Sequence, residues 1–168
     1  MIMDPANIHE LTHKKIEGYI PAPRVYATGE MNSKFGAAYI LGGRDRLGVP
    51  VCDMWSLDVE LMIEKIESPD TVNFTNIWNY HAAKDKSEIF CRWGHSTAFI
   101  DTRYIFVIGG VNLDNMVVRD PFLYDMLDGD HIPLREEGDP PSVRLSFSNL
   151  LEAGNGMMTL YGGEDAGH

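Results

Sequence analysis

The chain has 168 residues, 44% of them hydrophobic and 23% charged, with 14 basic side chains against 25 acidic ones and a net charge of −11. A chain of this length removes roughly two-thirds of its unfolded surface from water, which suits one domain with a real core and argues against several. Gly at 16 and Pro at 9 exclude collagen-like and low-complexity classes, and the acidic excess repels nucleic-acid backbones and anionic membranes, so neither is expected as a partner.

The first residues, MIMDPANIHELTHKK, place Asp4, Pro5, His9 and Glu10 where a signal peptide needs an apolar run, and no later stretch reaches bilayer-spanning length. Cys52 and Cys91 are too few for a disulfide framework and form no Cys-x-x-Cys pair, so free thiols in a reducing compartment are expected. Cytoplasmic or nuclear localisation, without secretion, follows.

In chain order, Asp4-Pro5 signals a helix start and Gly18 a stop, giving residues 1–20 as a short helical turn followed by a strand over 11–17. Period-2 alternation and turn residues then predict strands near 24–30, 36–42, 52–58 and 76–81. A second set is predicted near 93–99, 103–109, 119–125 and 131–135, and a last pair near 144–150 and 156–161. The fold class is all-β.

These strands repeat. Three apolar runs end in glycine doublets, Gly42-Gly43, Gly109-Gly110 and Gly162-Gly163. Arg24, Arg92 and Arg144 stand 18, 17 and 18 residues before the first glycine of each. Downstream, Asp53 and Asp120, Trp55 and Phe122, and Asp58 and Asp125 continue the register in two units, while Gly18 and Gly138 lie six residues before an arginine and Pro21 and Pro141 three before. The units are 21–90, 91–139 and a partial third, 140–168; the first carries about 16 extra residues between Val59 and Thr75, read as a variable loop. The shared Gly18 and Pro21 register makes 11–17 an outer strand of a preceding or closing unit.

The pattern Pro-x-Pro-Arg, a strand, hydrophobics before Gly-Gly, then Asp-x-Trp-x-x-Asp resembles the kelch repeat, most clearly in CRWGHSTAFIDTRYIFVIGG (91–110) and in PAPR…AAYILGG…CDMWSLD. The resemblance covers residues 11 to 163. It departs at Phe122, where tryptophan is common, and in the third unit, where only five residues follow the doublet. It implies four-stranded β-propeller blades in an incomplete ring. It further implies an arc that is either part of a longer propeller or completed by another chain, such as a second copy.

The doublet glycines are expected to take positive φ where neighbouring backbone approaches closely. The three arginines should reach carbonyls or aspartates of adjacent strands, and Trp55 and Phe122 should fill the space between units. Cys91 and His95 have a Cys-x3-His spacing, yet no further ligands match, so His95 is read as a buried, hydrogen-bonded histidine and no metal is assigned. Asp125, Asp128, Asp130 and Asp139 lack the spacing of a calcium loop. Gly43–Gly48 has a phosphate-loop gap without its lysine, and no Gly-x-Ser-x-Gly elbow exists. No catalytic residue and no cofactor are therefore expected.

By the resemblance, the chain is a non-catalytic module binding a protein partner through inter-strand loops. Those loops are Arg44, Asp45, Arg46 and Leu47, and Asn112, Leu113, Asp114, Asn115 and Met116, whose mix of charge, amide and exposed apolar groups suits a binding rim. The alternative is an enzyme or metal site at a propeller centre, as in oxidase-like or epimerase-like members.

Overall fold

The computed structural model describes residues 15–67, 73–81, 88–142, 144–151 and 157–165. The chain is mostly β. Strands β1 (Lys15–Glu17), β2 (Thr28–Asn32), β3 (Ala37–Leu41) and β4 (Met54–Asp58) come first, followed by helix α1 (Val59–Glu67), β5 (Asn73–Thr75) and β6 (Trp78–His81). Then come β7 (Ser96–Ile100), β8 (Tyr104–Ile108), β9 (Phe122–Asp125), β10 (His131–Pro133), β11 (Arg144–Leu151) and β12 (Met158–Asp165). Strands β2-β3-β4-β6 and β7-β8-β9-β10 form two four-stranded antiparallel sheets, and β11 pairs with β12.

Alternation sets which faces meet. Ala37, Tyr39 and Leu41 of β3, with Met54, are buried against Phe90, Ile105, Val107, Phe122 and Tyr124, giving one core between the two sheets. Each large apolar side chain so buried contributes about 1.5–3 kcal/mol. Tyr39 meets Phe99, and Phe90 meets Tyr124, edge-on at 5.3 and 4.9 Å.

The backbone carries the repeat. All six doublet glycines have positive φ. The residue two after each repeated arginine, Tyr26, Gly94 and Ser146, is left-handed as well, at φ 56, 66 and 54°. These three residues link in series: Gly94 N donates to Tyr26 O at 2.9 Å, and Ser146 N to Gly94 O at 2.7 Å. The chain of bonds sets β2, β7 and β11 side by side, so a register visible in sequence becomes a stacking order in space.

The arginines act alike. Arg24 donates to Gly42 O at 3.1 Å and pairs with Asp53; Arg92 donates to Gly109 O and pairs with Asp120, both at 3.2 Å. Arg144 opens β11, and its side chain lies outside the described residues. Trp55 is buried under Tyr19 and Tyr80, and Phe122 packs on His131 with the Arg92 guanidinium over its ring. Asp58 caps α1 by accepting from Leu61 N at 2.8 Å, while Asp125 accepts from Leu127 N and Asp128 N and pairs with Arg103.

Three expectations are corrected. The insertion is not simply a loop, because Asp58 offers an N-cap, and Val59, Met62, Ile63 and Ile66 recur at helical spacing with no glycine or proline between. Strand β1 pairs in parallel with β5 of that insertion, not with a neighbouring unit; the helical turn expected before it lies outside the described residues. The cysteines are joined: Cys52 and Cys91 form a disulfide between the two sheets. Gly43 N donates to Arg92 O at 2.8 Å, drawing residue 91 toward the strand that starts after Cys52. Neither cysteine is a free thiol, so the pair does not point to a reducing compartment. Among the described residues no helix is long and apolar enough to cross a membrane.

The bond closes a 39-residue separation and cross-links two sheets. Replacing both cysteines by serine is expected to cost about 2–4 kcal/mol in urea unfolding, because the unfolded chain regains loop freedom. A loss below about 0.5 kcal/mol would show that core packing already holds the sheets.

Candidate interaction surface

The two inter-strand loops are built on one plan. In the first, Asp45 N donates to Val49 O at 2.9 Å and Gly48 N to Asp45 O at 3.1 Å, while Asp45 Oδ1 accepts from Leu47 N and Val49 N. In the second, Asn112 N donates to Met116 O at 3.0 Å and Asn115 N to Asn112 O at 3.1 Å, while Asn112 Oδ1 accepts from Met116 N. A short side chain that accepts bonds from nearby backbone N–H groups turns each loop, and the left-handed position falls on Gly48 in one and Asn115 in the other. Asp45 and Asn112 thus each commit Oδ1 inside their own loops.

Both loops rise from matching bridges, Val25 with Arg44 with Pro50, and Trp93 with Val111 with Val117. Arg44 links the roots of the two loops, through Trp93, which bridges to Val111. Its guanidinium lies 4.7 Å from the Tyr26 ring centroid and 4.2 Å from that of Trp93, a cation held against two aromatic faces. Tyr26, Arg44 and Trp93, with Val111 bridged to Trp93, make a continuous platform from which both loops project at the same end of the sheets.

What the loops present is apolar with charge beside it. Leu47 is 78% exposed and Met116 56% exposed, and Val25, Val49 and Leu113 are exposed near them. Arg46 and Asp114 are exposed too. Of the loop residues expected to contact a partner, Leu47, Leu113 and Met116 point outward, whereas Arg44 is occupied in stacking. Sequence reading missed Val25, Tyr26 and Trp93; the large residue directly after two repeated arginines, Val25 and Trp93, was the available signal. Beside the second loop, Glu88, Arg92, Asn112, Asp114 and Asp120 line an open polar hollow of about 280 Å³.

Below the rim, side chains tie β2 to β7. Thr28 Oγ1 lies 3.0 Å from His95 Nε2, and Thr97 donates to Glu30 at 3.3 Å. Burial, with a smaller contribution from the Arg92 charge, lowers the His95 pKa to about 3, so the ring is neutral. Burial raises Glu30, against the Thr97 hydrogen bond, and lowers His81, whose Nε2 lies 2.8 Å from Ser56 Oγ. The acidic turn is occupied by Arg103, which holds Asp125 at about 2 chiefly through hydrogen bonds and also bonds Asp128 at 2.6 Å. Cys91 is committed to its disulfide. Among the described residues no group of three or more His, Cys, Asp or Glu side chains stands within metal-binding reach.

No family model matches the chain, and no curated protein matches it. Among solved structures the chain is similar to that of YjhT, with 19% sequence identity and a TM-score of 0.55 over 85% of this chain and 35% of that one. The likeness is one of fold, and this chain spans about a third of YjhT's length.

Proposed function

We propose that the chain is an arc of kelch-type β-propeller blades serving as a non-catalytic protein-interaction module, with the paired loops as its binding rim. The observation that carries this reading is the shared construction of the two loops. Matched turns on a stacked Tyr26–Arg44–Trp93 platform present Leu47, Val49, Leu113 and Met116 at one end with little freedom left to lose on binding. Exposed apolar groups ringed by Arg46, Asp114 and Asp120 match the apolar centre and polar rim of transient interfaces. The fold likeness and the four-stranded antiparallel sheets are in keeping with blades.

The test is affinity capture with wild-type protein and with Leu47→Asp/Met116→Asp. The double variant is expected to lose specific partners at unchanged melting temperature, because both side chains are exposed. Partners retained at wild-type levels would remove the rim from the interface. Arg44→Ala is expected to behave differently, lowering stability by about 1–2 kcal/mol through loss of two ring contacts, while Arg46→Ala leaves stability unchanged. An unaltered melting temperature in Arg44→Ala would mean that the platform is not held by stacking.

A further inference from the structure

We propose that the front of the β11–β12 hairpin receives the Ile20–Tyr26 segment of a second copy of this chain, and that two copies close head to tail. The segment shares Val25 and Tyr26 with the root of the loop rim but none of the loop side chains Leu47, Val49, Leu113 and Met116, so the Tyr161 and Leu47/Met116 variants test the two readings separately.

Strand alternation shows which faces are covered. Leu41, Ile108 and Tyr161 each stand directly before a glycine doublet. Leu41 is 2% exposed beneath the second sheet and Ile108 is 6% exposed toward the hairpin, but Tyr161 is 82% exposed. Leu160, on the opposite face, lines a hollow of about 170 Å³ with Ile108, Arg119 and Pro141. The hairpin thus turns its back to the second sheet, while its front, bearing Thr159 and Tyr161, faces solvent.

The earlier junction says what chemistry fits there. Leu41 shares the core with Phe90, Gly43 N donates to Arg92 O, and Gly94 N donates to Tyr26 O. The covering element is therefore an apolar-x-Arg segment running into a left-handed residue. Two described segments have this form, Phe90-Cys91-Arg92 running into Gly94 and Ala22-Pro23-Arg24 running into Tyr26, while Ser142 stands at the apolar position before Arg144, which runs into Ser146. Those at Arg92 and Arg144 follow another unit and are joined to it through Gly94 and Ser146. The remaining one is Ala22-Pro23-Arg24-Val25-Tyr26, and around it Tyr19, Ile20, Val25 and Tyr26 are exposed. Placed on a second copy by the same register, it would let Arg24 O accept from Gly163 N and Tyr26 N donate to Ser146 O. Ala22 would then lie at Tyr161, as Phe90 does near Leu41.

A head-to-tail contact used twice closes two copies into a ring about a two-fold axis. Two four-stranded sheets and the β11–β12 hairpin from each chain would place four full sheets and two hairpins around that axis, a number of radial sheets within the range of closed β-rings. Each chain carries a charge of −11, so the copies repel at long range and salt should strengthen the pair.

Sedimentation velocity of the full chain from 1 to 100 µM tests this. Twice the 18.9 kDa chain mass is expected, favoured at about 0.5 M over about 0.05 M salt. Tyr161→Asp is expected to give monomers that keep the wild-type far-UV circular dichroism spectrum, because the side chain is exposed within its own chain. A wild-type monomer at 100 µM, or a dimer indifferent to Tyr161→Asp, overturns the proposal. Cross-linking gives a second readout. Chains carrying Ala22→Cys and chains carrying Tyr161→Cys should form a disulfide-linked pair when mixed with oxidised glutathione, whereas Ala22→Cys mixed with Leu127→Cys should not. The double variant Ala22→Cys/Tyr161→Cys should stop at dimer, and a ladder of longer species overturns closure into a pair.

Discussion

Gly42→Val is expected to lower stability by more than about 4 kcal/mol, enough to leave a protein of ordinary stability largely unfolded. A Cβ at residue 42 would lie 2.4 Å from Arg92 O and 2.8 Å from Phe90 O. Both are backbone atoms, and Arg92 O also accepts from Gly43 N, so neither can retreat without parting the two sheets. The φ of +53° adds strain for a β-branched residue. Gly48→Ala is the control: its φ is +86°, yet a Cβ would meet nothing within 4 Å, and the expected cost is about 1 kcal/mol from backbone strain. Urea unfolding of both variants separates crowding from strain. Equal losses would mean that the close approach at Gly42 has no energetic consequence.

Acid should weaken the fold well before carboxylates titrate, with His95 as the main cause. Its folded pKa of about 3 lies below the unfolded value near 6.5, so the unfolded state binds the proton first. The stabilising effect of the neutral buried ring is complete above pH 6.5 and is lost as pH falls toward 3, at about 1.4 kcal/mol per pH unit within that window. His81, also lowered, acts in the same direction, and Glu30, raised, acts against it. Asp125, held at about 2, matters only below about pH 4. The decisive measurement is the difference between wild type and His95→Gln in urea midpoint from pH 7 to 4.5, since the other groups are common to both. Parallel curves would show that His95 does not titrate between the folded and unfolded states.

The loops were legible as a pair because Asp45 and Asn112 each stand three residues after the first glycine of their doublets. Their function as turns held by Asp45 and Asn112 side chains was not legible, since an acid or amide in a loop reads equally as a surface contact until its backbone partners are known. Arg44 is the clearest case. One arginine in a loop suggests a partner, but the aromatic faces that hold it come from residues 26 and 93, and only folding brings those together.

By itself the sequence determined the mostly-β class, the ten strands of the sheets and hairpin, and the spacing of the repeat. These follow from period-2 alternation and from glycines placed where L side chains are excluded, which are local properties of the chain. Its errors arose where distant residues decide. The tertiary structure joined Cys52 to Cys91, paired β1 with β5 and gave Tyr161 a solvent face where Leu41 and Ile108 have buried ones. A disulfide, a parallel strand partner and a buried face each depend on which segments meet across long stretches of chain, and a register counted along the sequence contains no distances between segments that stacking brings into contact.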